Sequence, residues 1–340
     1  MRSSIAGLGL LLLGAASAAA PRTGHRHATV ELPPADRVRL AEGRRLAARI
    51  CDQLWPGWGR TVFQVLLVGD STEYLLDSHR PPDAFTSLGY DSVLGAEVWA
   101  RPRRFPPTLL ATFPAVGGIP TIVIGSATRT GKSSTAWILT LLHEHFHQWQ
   151  YSRPGYQDGV SRLGLARGDT TGQWMLNYPF PYDSAPVQRA VLTLATSLLQ
   201  ALDARPDTRA RALAAVREDR AALRKLLTPA DYHYLEFQLW QEGVARFTEY
   251  AAARAAVHAG NPNADFRSLP DYQPYDQASD SALRSLRREL AQLDLAQQRR
   301  VTFYPIGAAW ALLLDQTRPD WKRVYARQPF TLPDLVSGAR

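Results

Sequence analysis

The chain of 340 residues is poor in cysteine and in lysine, and each shortage narrows its possible functions. Cys51 is the only cysteine, so the chain cannot form an internal disulfide. A structural zinc site built from several cysteines is excluded for the same reason. Stability must therefore come from a hydrophobic core, for which a chain of this length with 45% hydrophobic residues provides enough material.

Positive charge is carried almost entirely by arginine, because Lys132, Lys225 and Lys322 are the only lysines. The formal net charge is +8, and an excess of basic over acidic residues is common in proteins that bind nucleic acid. The arginines are scattered along predicted helices and loops, and no combined aromatic and basic motif for nucleic acid stands out. We therefore expect solvated helix faces and no nucleic-acid partner.

Long apolar runs are scarce, and no segment after residue 20 has the length of a transmembrane helix. Residues 1–20 combine Arg2, an apolar run from Ile5 to about Leu13, and an A-x-A site at residues 16–18. This is the layout of a secretory signal peptide. The sequence thus predicts an exported protein, periplasmic or secreted, without membrane contact after cleavage. It leaves the oligomeric state open.

Hydrophobic periodicity divides the remainder into two parts. Near the N-terminus, a predicted helix at about 36–54 precedes two strands joined by a turn at Gly69-Asp70, and further strands at 96–101 and 121–125. From about residue 133 the pattern becomes helical. We predict an α+β fold in which an N-terminal α/β part, 21–150, ends in a helix packed on a small mixed sheet. A mainly helical part follows, 151–340.

Three histidines and a glutamate fall within five positions of that helix, in the segment "HEHFH". Residues four apart share one helix face, about 5–6 Å apart at Cβ, so His143 and His147 can bind one ion while His145 points elsewhere. The segment matches the H-E-x-x-H pattern of zinc sites. Glu144 can take the proton of a water that the metal activates. The alternative is a core helix whose histidines bind nothing.

A catalytic zinc usually has three protein ligands and one open position. The position of the third histidine in metzincins is occupied by Arg153, so the third ligand must lie further along the chain. The best candidate is Glu242, in the segment "LWQEGVARFTEY" of a long predicted helix. Glu249 lies seven residues later on the same helix face. It is either an alternative ligand or a carboxylate that orients a histidine.

Together, "HEHFHQW" and "LWQEGVARFTEY" resemble the gluzincin zinc metallopeptidases, most closely their aminopeptidase-like branch. The resemblance implies a zincin-like fold, Zn²⁺ as the cofactor and a peptide or protein as the substrate. It also implies that His143, His147 and Glu242 bind the metal and that Glu144 is the general base. A tyrosine downstream of the third ligand can stabilise the oxyanion in such enzymes, and Tyr304 is our candidate. The sequence departs from that branch in the long separation between its two motifs.

The sequence therefore predicts an exported zinc metallopeptidase. Two alternatives remain open: a non-catalytic metal-binding or interaction protein on the same scaffold, and a zinc hydrolase of non-peptide amides or esters. Glu144 distinguishes the first of these from an enzyme, because a purely structural metal site has no use for a carboxylate at that position.

Overall fold

The structure, a computed structural model, describes residues 31–78 and 84–335. Its first helix, α1 (Pro34–Leu54), begins with a proline. The first N–H groups of a helix have no acceptor within the helix, so the N–H that proline lacks costs no hydrogen bond there. The buried face of α1 includes Leu40, Leu46 and Ile50, as the periodicity predicts. The predicted signal peptide falls within residues 1–30 and so lies outside the described residues.

A six-stranded mixed sheet follows α1 along the chain. Its strands are β1 (Val65–Val68), β2 (Thr72–Leu76), β3 (Thr86–Asp91), β4 (Ala96–Pro102), β5 (Leu110–Val116) and β6 (Ile119–Gly125). Their order in the sheet is β3-β4-β2-β1-β6-β5. β1 and β6 are parallel, and the other neighbours are antiparallel. β5 therefore forms one edge of the sheet.

Two of these strands were not predicted from the sequence, and both are edge strands. β3 is exposed at five of its six positions and so lacks the alternation that marks a half-buried strand. β5 contains Pro114, which lowers the expectation of a strand although edge strands tolerate proline. The predicted hairpin at Gly69-Asp70 is confirmed, since β1 and β2 pair on either side of it.

Helices make up most of the rest of the described chain. They are α2 (Ala127–Thr130), α3 (Ser134–Tyr151), α4 (Tyr156–Arg162), α5 (Trp174–Asn177), α6 (Ala185–Asp203), α7 (Pro206–Leu226), α8 (Pro229–Gln238), α9 (Val244–Val257), α10 (Ala264–Arg267), α11 (Tyr275–Ala291), α12 (Leu295–Gln298), α13 (Phe303–Thr317) and α14 (Trp321–Arg327). Short 3₁₀ segments lie at Trp58–Arg60 and Arg299–Thr302.

Helix α3 is the central element of the fold. Its N-terminus is capped by Ser133, whose hydroxyl accepts a hydrogen bond from the Ala136 N–H. It packs against β5 and β6 as well as against α1 and α9. Because neighbours surround it, every residue from Ser134 to Gln150 except Ala136 is buried. Side chains on opposite faces of α3 therefore meet different neighbours in the protein interior.

The sequence predicts one continuous helix over 229–257, and this prediction is wrong in one detail. A single π-helical turn, Leu239–Gly243, separates α8 from α9. Such turns are rare and often occur at functional sites. Gly243 lies against Gly307 of α13, and a Cβ added to Gly243 would lie 2.5 Å from the Gly307 Cα. The glycine after Glu242 is thus required by the close approach of two helix backbones.

The described residues from Leu32 onward form one compact unit, a mixed α/β fold that is mostly helical. The predicted N-terminal sheet followed by helices is confirmed at this level, while the division near residue 150 stays a prediction. None of the helices in the described part of the chain combines the length and the apolarity that a membrane crossing needs.

Candidate metal centre

Three predicted ligands come together at the C-terminal half of α3. The Nε2 atoms of His143 and His147 lie 3.2 Å apart, one helical turn from each other. The Oε2 atom of Glu242, on the π turn, lies 3.5 Å from the His147 Nε2 and 4.0 Å from the His143 Nε2. Each residue thus offers one ligand atom to a common point.

The spacing of these atoms can be compared with what zinc requires. Ligand atoms at 2.0–2.1 Å from a tetrahedral zinc lie about 3.3 Å apart. The three measured separations, 3.2, 3.5 and 4.0 Å, bracket this value. Two imidazoles and one carboxylate also form a donor set used by catalytic zinc sites, which keep a fourth position for water or substrate. The residues present therefore fit Zn²⁺.

The charge balance of the site also favours a cation. Burial alone would raise the pKa of the Glu242 carboxyl, but the two histidines and Arg300 outweigh it and lower that pKa to about 2. Burial alone would lower the pKa of His147, yet the Glu242 carboxylate raises it to about 9. The ligand atoms therefore attract positive charge, which either a proton on His147 or a metal ion supplies.

Glu249 occupies a different position from the three ligand atoms. Its Oε2 lies 3.6 Å from the Nδ1 of His143, on the ring edge away from Nε2. Arg246 donates to the same oxygen at 2.9 Å. Although burial alone would raise the pKa of Glu249, Arg246 and His143 hold it well below its usual range. This geometry suits the second of the two predicted roles, a carboxylate that orients a histidine.

Glu144, the predicted base, is buried between α3 and the edge strand β5. The hydroxyl of Thr112 on β5 lies 2.9 Å from the Glu144 Oε2 and 2.9 Å from the Glu144 backbone oxygen. Thr112 has a single hydroxyl hydrogen, which these two acceptors share. The other carboxylate oxygen receives no hydrogen bond from the described residues, and Glu144 lines a cleft together with His143 and His147.

The cleft that contains these residues has a volume of about 890 Å³. One wall is the edge strand β5, and the opposite wall comes from helices of the C-terminal part. A pocket of this size is typical of sites that take small molecules or a few residues of a peptide. Among the side chains that line it are Leu110, Phe113, Tyr151, Met175, Leu176, Phe237, Arg246, Glu289, Arg300 and Tyr304.

Tyr304, the predicted oxyanion stabiliser, also lines this cleft and is held by Arg300. The Nη1 of Arg300 donates to the Tyr304 hydroxyl oxygen at 2.7 Å and lies 3.9 Å from the Glu242 Oε1. Burial and the nearby Glu242 carboxylate raise the pKa of Tyr304 well above its usual value. Its phenol therefore remains protonated: the oxygen accepts from Arg300, and the hydroxyl hydrogen is within reach of the Glu242 carboxylate.

His145 lies apart from the ligand atoms, as its spacing predicts. Its ring stacks on Phe63 with 4.0 Å between the centroids, and its Nδ1 lies 2.8 Å from the Gln148 Oε1. Burial without a nearby carboxylate lowers the pKa of His145 to about 4. This histidine is therefore neutral and packs in the core.

Several residues of the site were not identified from the sequence. Thr112 belongs to the unpredicted strand β5, so no local signal marked it. Arg300 precedes Tyr304 by four positions, a helical spacing that could have indicated the contact. Gln150 was not predicted as a site residue, yet its Oε1 lies 2.7 Å from the His147 Nδ1.

Comparison of the chain with protein-family models, with curated proteins and with solved structures gives no match. No family is therefore assigned to it on these grounds. Its function must be inferred from the geometry and chemistry of its own residues.

Proposed function

We propose that the protein is an exported, zinc-dependent hydrolase that cleaves peptide bonds and has a zincin-like arrangement. The observation that carries the proposal is the convergence of the His143 Nε2, His147 Nε2 and Glu242 Oε2 atoms in a cleft that also contains Glu144. Export is supported by the signal-peptide pattern of residues 1–20.

When bound, Zn²⁺ supplies a Lewis acid that polarises the substrate carbonyl and acidifies water. Glu144 accepts the proton of the attacking water and then delivers it to the amine nitrogen as the C–N bond breaks. Thr112 fixes one oxygen of the Glu144 carboxylate and leaves the other for this transfer. Tyr304 donates its hydroxyl hydrogen to the carbonyl oxygen as negative charge develops there.

A peptide substrate is favoured by the edge strand. β5 pairs with β6 on one side, so its other side can offer backbone N–H and C=O groups along the cleft. An extended peptide can pair with such an edge, which provides affinity that a small ester cannot obtain. The same arrangement, a sheet edge beside a helix with H-E-x-x-H and a second helical segment with a glutamate, supports the likeness to zincins.

A purely structural metal site is the weaker alternative. Glu144 is 5% exposed, and Thr112 is its one side-chain hydrogen-bond partner among the described residues. Burying a carboxylate with so few partners costs stability. A general base needs such a free carboxylate oxygen, whereas a site that only holds metal gains nothing from it.

The test combines metal analysis with hydrolysis of a peptide library by the full chain. We expect about one zinc per chain in the wild type and in Glu144→Gln, since Glu144 is not a ligand. Hydrolysis should fall by about 10²–10⁴-fold in Glu144→Gln. Glu97→Gln, on the exposed face of β4, is the matched control and should keep full activity.

Two results would contradict the proposal. Well under one zinc per chain in protein purified without chelators would remove the metal site. Full hydrolytic activity in Glu144→Gln would remove the general base.

A further inference from the structure

Gln150, near the C-terminus of α3, is in contact with both segments that carry the candidate ligands. Its side chain is fully buried. On one end, its Oε1 lies 2.7 Å from the Nδ1 of His147. On the other end, the two hydrogens of its Nε2 are shared among three acceptors: the backbone oxygen of Gln241 at 3.0 Å, that of Trp240 at 3.2 Å and the Tyr325 hydroxyl oxygen at 2.7 Å.

These contacts determine the orientation of the Gln150 amide. Backbone carbonyl oxygens only accept hydrogen bonds, so the NH₂ group must face Trp240 and Gln241. The Oε1 atom consequently faces His147 as an acceptor, and the His147 Nδ1 must carry the hydrogen. In a neutral His147 the Nε2 then carries the lone pair. This lone pair points toward the space between the ligand atoms of His143 and Glu242, as metal binding requires.

The nearby amide of Gln241 is the weaker partner of the same ring nitrogen. Its Nε2 lies 3.2 Å from the His147 Nδ1, against 2.7 Å for the Gln150 oxygen. The Gln241 Oε1 accepts from the Tyr156 hydroxyl, which turns the NH₂ group of Gln241 toward His147. Two donors cannot form a hydrogen bond with each other, so the shorter contact to Gln150 decides the tautomer.

The other end of Gln150 acts on the third ligand. Trp240 and Gln241 are the two residues immediately before Glu242 on the π turn. By donating to both of their carbonyls, Gln150 fixes that turn relative to α3. The Tyr325 hydroxyl strengthens the connection, since it also donates to the Trp240 oxygen at 2.9 Å.

We propose that Gln150 is a positioning residue of the metal centre, which sets the tautomer of His147 and the distance between His147 and Glu242 at once. This inference rests on the proposed function, because it requires that the three ligand atoms bind a metal. A glutamine in this role would connect two ligands that are far apart in the sequence. Its loss should weaken zinc affinity without removing any ligand.

Gln148 provides a matched control on the same helix. Its Oε1 lies 2.8 Å from the Nδ1 of His145, and its Nε2 donates to the backbone oxygens of Gln64 and Pro120 at 2.9 and 2.8 Å. Gln148 therefore shares the spacing and burial of Gln150 and, apart from the contact to Tyr325, its bonding pattern. It differs in that its histidine faces the aromatic core rather than the ligand atoms.

The experiment measures the zinc affinity of the metal-free full chain by chelator competition in wild type, Gln150→Met and Gln148→Met. Methionine keeps the length of the side chain and removes its hydrogen bonds. We expect zinc to bind about 10–100-fold more weakly to Gln150→Met, the range typical for loss of a residue that orients a metal ligand. Gln148→Met should bind zinc like the wild type. The Co²⁺ absorption spectrum should change in Gln150→Met alone.

The possible outcomes separate this inference from the proposed function. If the wild type binds no zinc, both the proposed function and the role of Gln150 are contradicted. If the wild type binds zinc and Gln150→Met has the affinity and Co²⁺ spectrum of Gln148→Met, the inference alone is overturned. If Gln150→Met does not fold, Tyr325→Phe decides, because it weakens the same connection more gently. A smaller loss of zinc affinity in Tyr325→Phe supports the inference, and an unchanged affinity overturns it.

Discussion

Helix α3 carries two histidine–glutamine pairs that share one local geometry and have opposite chemistry. In each pair the histidine Nδ1 meets the Oε1 of the glutamine three residues later, at 2.8 Å for His145 and Gln148 and at 2.7 Å for His147 and Gln150. In each pair the glutamine Nε2 also donates to two backbone carbonyls. Yet the pKa of His145 is lowered to about 4, whereas that of His147 is raised to about 9.

The difference comes from what lies beyond each ring. His145 stacks on Phe63, and because burial outweighs the Gln148 hydrogen bond, the pKa of His145 is lowered and the ring stays neutral. His147 faces the Glu242 carboxylate, whose charge outweighs the same burial. The comparison teaches that the local sequence fixes which face of a helix a histidine occupies. The element packed against that face decides whether the histidine can bind a metal.

The largest expected effect comes from replacing each histidine in turn. His147→Phe removes a ligand and should weaken zinc binding by more than about 100-fold, beyond the range for loss of an orienting residue. His145→Phe should leave zinc affinity unchanged, since His145 lies outside the ligand atoms. Chelator competition measures both. Equal losses in the two variants would show that the two pairs do not differ in function.

The second prediction concerns acid stability and depends on His145. Its pKa is about 4 in the folded state and 6.5 in the unfolded state, so between these values the unfolded chain binds the extra proton. Its contribution to stability is complete above pH 6.5 and is lost as the pH falls toward 4. At pH 4.5 the loss should be about 2–3 kcal/mol.

Urea unfolding of wild type and His145→Phe at pH 7 and pH 4.5 measures this contribution. The gap in the free energy of unfolding between the two proteins should shift in favour of His145→Phe at pH 4.5. A gap that does not change with pH would mean that His145 is not buried in its neutral form.

The third prediction tests the π turn with Glu242, whose packing makes the His147 pair differ chemically from the His145 pair. In Gly243→Ala the added Cβ would lie 2.5 Å from the Gly307 Cα, so the π turn and α13 must separate. We expect a loss of about 1–3 kcal/mol in the free energy of unfolding, as for other overpacked sites. Zinc affinity should fall as well, because Glu242 moves relative to His147.

Gly43→Ala on α1 is the matched control for this change. Its added Cβ would meet only the movable side chains of Leu141 and Ile138, and alanine favours the helix. Both variants can be compared by urea unfolding and chelator competition. If Gly243→Ala proves no more costly than Gly43→Ala, the close contact of the two helices does not constrain Glu242.

The smallest expected effect comes from removing the hydrogen bond between Thr112 on β5 and the general base Glu144. Thr112→Val removes the hydrogen bond to Glu144 and should lower kcat roughly tenfold, the order expected for one hydrogen bond to a charged group. Thr112→Ser should restore the rate. Thr140→Val is the control on α3, because the Thr140 hydroxyl bonds to the Ala136 backbone oxygen and not to the base. A rate in Thr112→Val equal to that of Thr140→Val would exclude a role for this contact.

The predictable part of the site is the part with a local pattern. Helical spacing separated His143 and His147 from His145, and the structure brings the first two together with Glu242. Glu242 was predicted because it lies in a long, largely apolar helix and because its segment resembles the one that supplies the third ligand in gluzincins. Helix periodicity alone was enough for the histidines, but not for the glutamate.

The remaining part depends on contacts between distant segments. Thr112 reaches Glu144 from β5, a strand that Pro114 concealed in the sequence, and Gln150 reaches the π turn across about ninety residues. The π turn itself breaks a helix whose sequence reads as continuous. No spacing rule reports such contacts, because they are set by how whole elements pack.

The near-complete burial of α3 has a consequence for metal uptake. Small zinc domains are unfolded until metal arrives, and their binding energy is spent on folding. Here two ligands stand on a helix that a large core already holds in place, and the third is fixed to it through Gln150. Metal uptake should therefore cause little change in circular dichroism, and chelation should leave an intact apoprotein that can be reloaded.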